Sequence, residues 1–293
     1  MKKRLLLFAI ILAVVLPVTP FVFSFFRGYD IHTEMCYGEA PQNTMDIYMP
    51  KGIEGETRGV VLFIHGGSWM GGDKNEEALR CRILASRGYI AATMNYTLRT
   101  EENADSYTVF SVLDEIDAAL DAVKDFAALH GVTVEKAGVS GYSAGAHLAL
   151  LYAYSRAHSA PVEIAFASSM AGPADISERS FGTDMTKRIA TLLTGVTVTD
   201  EMLESGEADE LLASVSPTMH VTPSSPPTAM IQGGRDNIVP PSNAQVLAET
   251  LDKNGVAHDF IYLKNSDHSL LQNFFKHLSY YKLLVRYADT YLS

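Results

Sequence analysis

The chain has 293 residues, 47% of them hydrophobic, and a formal net charge of -11. That size suffices for one large core, and an acidic chain with no basic block beyond its first residues is a poor nucleic-acid binder. The two cysteines, Cys36 and Cys81, lie far apart without ligand spacing, which speaks against a zinc site or a disulfide framework.

The chain opens on Lys2, Lys3 and Arg4, followed by LLLFAIILAVVLPVTPFVFSFF, an apolar run of roughly bilayer-spanning length. Positive charge ahead of it predicts a cytoplasmic start and an exported remainder. Residues 1–27 are therefore read as a signal peptide or a signal anchor, ahead of a folded domain over 28–293. The stretch before Pro17 is short enough for a signal peptide, and Val22-Phe23-Ser24 is a weak cleavage site. Phe21, Phe23, Phe25 and Phe26 prolong the apolar run and favour a retained anchor. Pro17 and Pro20 speak against a buried core helix.

Beyond this segment, strand and helix patterns alternate. HTEMCYG and TMDIYMP are expected to form an antiparallel edge hairpin around Pro41 and Asn43. GVVLFIHGG is a continuous apolar run ending in glycines, as in a fully buried strand. NEEALRCRILASRG has helical spacing and stops at Gly88, and YIAATMNY is the next strand. From about Val109 to His130, the residues Val112, Ile116, Ala119, Leu120, Val123 and Phe126 mark one helix face. VEKAGVSGY reads as a strand, AGAHLALLYAYSRA as a helix and VEIAFASSMAG as a strand. PPTAMIQGG, SNAQVLAETLDKNG and HDFIYLK repeat the alternation, and LLQNFFKHLSYYKLLVRYADTYL is a terminal helix. The sum is an α/β fold with a mostly parallel central sheet and helices on both faces. Residues from about 175 to 225 interrupt it as a polar, mixed segment with helical pieces at MTKRIATLLTG and EADELLASV, read as a small cap rather than a second domain. Free, buried thiols are the simpler reading of Cys36 and Cys81, with one disulfide between them left open.

In a parallel sheet, ligands bind at the carboxyl ends of the strands. His65-Gly66-Gly67-Ser68-Trp69, the turn GYSAG around Ser143, Gly233-Gly234-Arg235-Asp236 and Asn265-Ser266-Asp267-His268 each follow a strand. A serine, an acid and a histidine thus stand in chain order at three strand ends. A serine hydroxyl needs a base within reach, histidine takes and returns a proton near neutral pH, and the acid fixes the imidazole tautomer. The glycines around Ser143 permit a sharp strand-to-helix turn.

HGGSW followed by GYSAGAHLA resembles the α/β-hydrolase superfamily, within it the esterase and lipase group with an HGGxW motif. That group includes BD-FAE-type esterases, carbohydrate acetyl and feruloyl esterases, and kynurenine formamidase-like enzymes. DIYMP, Gly72-Asp73-Lys74 and MNYTLR are smaller echoes, and the likeness runs from about residue 30 to the end. It implies an α/β-hydrolase fold, a catalytic set of Ser143, Asp236 and His268, and an oxyanion hole from the amides of Gly66 or Gly67, Ser68 and Ala144. Trp69 and Tyr142 are candidates to contact substrate, Trp69 being equally suited to core packing. Two features depart from the family pattern. GVTVEKAGVSG lacks the Asp-Pro pair often found before the nucleophile strand, and HGGS replaces HGGG, which bears on which amide completes the hole.

Among the other histidines, His147 is expected in the core and His65 in a structural role within its loop. His220 and His258 lack a post-strand position, and Asp267 is expected to be solvated. The reaction expected is hydrolysis of short-chain or carbohydrate-linked acyl esters through an acyl-enzyme, with no metal or organic cofactor. The partner is a small-molecule or carbohydrate ester, with membrane contact through an uncleaved N-terminus. The same machinery admits an amidase, formamidase or peptidase, and a non-catalytic tethered binding module stays open as a third reading.

Overall fold

The computed structural model describes residues 27–293, without the side chains of 273–277. Eight strands form one sheet: β1 (Tyr29–Cys36), β2 (Thr44–Pro50), β3 (Val60–Ile64), β4 (Ile90–Met94), β5 (Lys136–Tyr142), β6 (Glu163–Met170), β7 (Thr228–Gly233) and β8 (His258–Leu263). Their order is β1-β2-β4-β3-β5-β6-β7-β8. β1 pairs antiparallel with β2, and β2 with β4. The pairs from β4 and β3 through to β8 are parallel.

The apolar runs read from the sequence are the central strands, and every residue of β3 and β4 is buried. Both faces of such strands meet helices, so alternation is absent. The helix Val109–Leu129 turns its expected stripe inward, with Val112, Ile116, Ala119, Leu120, Val123 and Phe126 all buried. The helix Ala144–Ser155 buries nearly its whole circumference, which its almost uninterrupted apolar sequence allows. The terminal helix spans Phe274–Tyr291, after a 3-10 turn at Leu271–Asn273.

The edge strand is held differently. The β1–β2 register shifts between His32 and Met35, where Glu34 takes a φ of 55°. The Glu34 N–H donates to Asp46 Oδ1 at 3.0 Å, and Lys74, only 2% exposed, pairs with Glu34 and lies 3.3 Å from Asp46. Gly72-Asp73-Lys74 therefore ties the first loop to the sheet edge, and the bulge discourages further strand pairing there.

Between β6 and β7 the chain forms the helices Glu178–Phe181, Thr183–Thr194, Asp200–Ser205 and Asp209–Ser214, then a 3-10 turn at Pro217–His220. The two pieces read as helical coincide with Thr183–Thr194 and Asp209–Ser214. Asn243 fastens the start of this segment, its Oδ1 accepting from the N–H groups of Ala174 and Asp175 at 3.0 Å each.

Both cysteines are free, but only Cys81 is buried. Cys36 is exposed, because β1 is an edge strand with little packed on it, and the expectation of two buried thiols is corrected there. Residues 1–26, with the whole N-terminal apolar run and so all of the expected signal peptide or anchor but Arg27, lie outside the described residues. Among the described residues no helix is long and apolar enough to cross a membrane.

The sheet order also fixes where a ligand can sit. From β3 the chain moves to one side, to β4, and then returns to the other side, to β5. The crevice at the carboxyl ends of β3 and β5 is thus a topological switch point, where the loops diverge.

Candidate active site

Ser143 stands at that crevice, between β5 and the helix Ala144–Ser155. Its backbone has φ 52° and ψ -120°, a region that L residues rarely adopt and that costs about 1–3 kcal/mol. Its N–H donates to the Met170 carbonyl of β6 at 2.8 Å, and its carbonyl accepts from His147 N–H at 3.1 Å. Close packing explains the two flanking glycines. A Cβ on Gly141 would overlap the backbone of Gly145, and one on Gly145 would overlap the carbonyl oxygens of Ile64 and His65. The turn is folded on itself and pressed against the end of β3, which sets Ser143 beside the His65–Trp69 loop.

Three side chains form one hydrogen-bonded line. Ser143 Oγ lies 2.9 Å from His268 Nε2, and His268 Nδ1 lies 2.7 Å from Asp236 Oδ2. The Asp236 side chain is fully buried and saturated with donors. Its Oδ1 accepts from the N–H groups of Ile238 and Val239, both at 2.9 Å, and its Oδ2 accepts from Gln232 Nε2 at 2.9 Å. Because the carboxylate only accepts, Nδ1 of His268 carries the proton and Nε2 faces the serine as an acceptor. Ser143 is 8% exposed, which leaves a narrow approach to its oxygen.

The loop after β3 has three successive residues at positive φ: Gly67 at 108°, Ser68 at 54° and Trp69 at 61°. The Gly67 carbonyl accepts from the N–H groups of Met70 and Gly71, at 3.1 and 3.0 Å. The Gly66 carbonyl accepts from His65 Nδ1 at 2.7 Å. With the carbonyls occupied, the N–H groups of Gly67, Ser68 and Ala144 have no protein acceptor among the described residues. Ala144 adds the positive end of its helix. Ser68 takes the left-handed conformation despite its Cβ.

The remaining predicted residues fall into distinct settings. Trp69 is 5% exposed, packs in the core with the His147 ring edge-on at 5.2 Å, and also lines the cavity over Ser143. Tyr142 lies outside the lining of that cavity and against the imidazole; its hydroxyl donates to the His268 carbonyl at 2.9 Å and its ring lies 5.2 Å from the imidazole. Burial raises its pKa to about 12, so it stays a donor well into the alkaline range.

His147 is wholly buried and donates from Nε2 to the Val215 carbonyl at 2.8 Å, and burial lowers its pKa to about 4. His65 is buried and stacked on Tyr96 at 4.5 Å, and burial holds its pKa below the usual histidine value. His220 and His258 bond to the carbonyls of Ser214 and Val256, away from Ser143. Asp267 is solvated, as expected, and there accepts from Ser269 N–H at 2.9 Å and bonds Gln272, capping its own turn.

Gln232 was not singled out by sequence reasoning. It is buried near the end of β7, and its Nε2 bonds both Asp236 Oδ2 and, at 3.2 Å, the Val239 carbonyl. The available signal was an amide side chain in an otherwise apolar strand, four residues before the acid.

A cavity of about 1040 Å³ opens over Ser143. Its walls come from Ser68, Trp69 and Met70, from the helix Thr183–Thr194, and from Ile238 and Val239 beside the acid. That exceeds what an acetyl group fills. Among the described residues no group of three or more His, Cys, Asp or Glu is placed to hold a metal ion.

The BD-FAE family model matches residues 45–251. Over 128 residues the chain is 32% identical to a rice (Oryza sativa subsp. japonica) protein named "Probable isoprenylcysteine alpha-carbonyl methylesterase ICMEL1", covering 44% of this chain and 29% of that protein. It is 25% identical over 243 residues to Esterase LipC of Mycobacterium tuberculosis, covering 77% of this chain and 56% of that protein. The chain thus spans under two thirds of both curated relatives. Among solved structures, Esterase B from Lactobacillus rhamnosis superposes with a TM-score of 0.70 at 21% identity, over 99% of this chain and 96% of that one. That likeness shows an α/β-hydrolase fold.

Proposed function

The chain belongs to the BD-FAE family, and on that premise we propose that it is a serine hydrolase cleaving carboxylic esters through an acyl-enzyme on Ser143. The observation that carries the reading is the unbroken line from Ser143 Oγ to His268 to the buried Asp236. Ser143 Oγ attacks the ester carbonyl while His268 Nε2 takes its proton. Asp236 holds the resulting imidazolium without itself being protonated. The carbonyl oxygen, now negative, is received by the N–H groups of Ala144 and of Gly67 or Ser68. Removing one such donor typically costs about 3–4 kcal/mol of barrier. His268 then protonates the departing alcohol, and a water attacking by the same route releases the acid and restores the serine.

The substrate is a small-molecule or carbohydrate-linked ester. The cavity volume favours one with a sizeable group on either side of the reacting bond, beyond a bare acetyl. The basic start and the apolar run that follows it support a domain working outside the cytoplasm, tethered or released. Amide cleavage would use the same residues with nitrogen as the leaving atom.

The test is labelling of the full-length protein with a fluorophosphonate and mapping of the adduct by mass spectrometry. Turnover of 4-nitrophenyl acetate, 4-nitrophenyl decanoate and 4-nitroacetanilide is measured alongside. An adduct on Ser143, with the esters cleaved and the anilide spared, is expected. In Ser143→Ala, turnover should fall at least about a thousandfold while the circular dichroism spectrum holds. Wild-type-like turnover in that variant would sink the mechanism. A folded wild type with no adduct and no turnover would move the binding-module reading to first place.

A further inference from the structure

The mechanism leaves two cations in the cavity wall unused. Arg99, on the loop after β4, and Arg188, on the helix Thr183–Thr194, line the same cavity as Ser143. The third basic side chain there, Lys187, is neutralised by Asp184, at 3.3 Å, and by Asp200. Among the described residues neither arginine meets a carboxylate. Arg99 is set firmly, since its N–H donates to the Trp69 carbonyl at 2.8 Å. Its Nε is buried without an acceptor, as is the hydroxyl of Tyr107, which its charge reaches. Arg188 is exposed, towards solvent.

A guanidinium held in a largely apolar wall without a counter-charge is unfavourable, and its planar fork matches a carboxylate. The chain as a whole carries -11, so its surface repels anions. Lys187 with its two aspartates leaves one negative charge, so with Arg99 and Arg188 the lining keeps a surplus of one positive charge against that background.

We propose that the cavity recognises an ester bearing a second, ionised carboxylate, which Arg188 draws in and Arg99 binds. The proposal rests on the hydrolase reading above and names its substrate class. The reacting ester is neutral, and the second carboxylate takes no part in bond making.

The test uses the full-length protein and two matched pairs of esters. Mono-4-nitrophenyl succinate and 4-nitrophenyl butyrate differ in the acyl part, and 4-acetoxybenzoate and 4-acetoxybenzamide in the alcohol part. Each kcat/KM is normalised to the ester's own alkaline hydrolysis rate. In at least one pair the anionic ester should be preferred about tenfold. The preference should shrink as salt is raised from about 20 to about 500 mM. In Arg99→Gln and Arg188→Gln, the ratio of anionic to neutral ester should fall towards one. Equal or better use of the neutral ester in both pairs would overturn the proposal, as would a ratio unmoved by either substitution. Calorimetry on the Ser143→Ala protein separates this from the hydrolase reading. Tighter binding of the anionic ester, lost in the arginine variants, supports the anion site even if wild type turns over nothing. Equal binding within both pairs overturns it even if wild type hydrolyses every ester.

Discussion

His147 offers a measurable link between protonation and folding. It is fully buried, donates from Nε2 to the Val215 carbonyl, and has no partner on Nδ1 among the described residues. Burial lowers its pKa from 6.5 to about 4. The unfolded chain therefore takes up this proton first as pH falls. The resulting loss of stability begins near pH 6.5, grows down to about pH 4 and then levels off. Between pH 7.5 and 4.5 the shift amounts to about two pK units, or about 2–3 kcal/mol. His147→Gln keeps a donor for Val215 and removes the titration. Urea unfolding of both proteins at the two pH values reads the difference. Trp69, the single tryptophan, lies edge-on to His147 and supplies the fluorescence signal. Wild type should lose about 2–3 kcal/mol more than the variant on acidification, all other titrating groups being common to both. Equal losses would refute the reasoning, because His147 would then be titrating alike in the folded and unfolded chains.

Three further outcomes follow from the site. Gln232→Leu removes one donor from the buried Asp236 and should cost about 1–3 kcal/mol in stability, read by thermal denaturation, with a fall in kcat at nearly constant KM. Gly145→Ala puts a methyl group into the carbonyls of Ile64 and His65, so destabilisation by about 1–3 kcal/mol and collapse of turnover are expected; a variant with wild-type kcat would show that the turn tolerates the displacement. Tyr142→Phe frees the His268 carbonyl and should lower kcat by about tenfold. Because the pKa of Tyr142 is raised to about 12, a pH–rate profile should show the same deficit at pH 8 and at pH 10.

The sheet and the line of Ser143, His268 and Asp236 were legible for local reasons. Central parallel strands are apolar on both faces, so they appear as unbroken runs, and glycines mark where the chain turns over their ends. Ser143 and Asp236 each follow such a run and His268 follows the half-buried edge strand β8, and the loops after these three strands bring them together. The illegible parts depend on contacts between distant segments. Tyr142 reaches the His268 carbonyl across 126 residues and His147 reaches Val215 across 68, and no spacing pattern encodes either. Gln232 was hidden because a single amide in a buried strand resembles any satisfied core polar group. The exposure of Cys36 followed from β1 lying at the sheet edge with few neighbours, which depends on strand order and not on its own residues.

In the proposed mechanism, the separation of the serine from its base along the chain carries a consequence in time. Ser143 precedes His268 by 125 residues, and at typical synthesis rates that gap lasts roughly 6 to 25 s. Throughout it the serine is an ordinary alcohol, since its proton has nowhere to go. The strained turn also needs Met170 and the end of β3 to hold its shape. On the proposed mechanism a growing or extended chain is inert, and reactivity would begin only once β8 and the loop bearing His268 have docked. The hydrolytic rate per mole of chain would then measure the fraction of molecules that have completed the whole sheet.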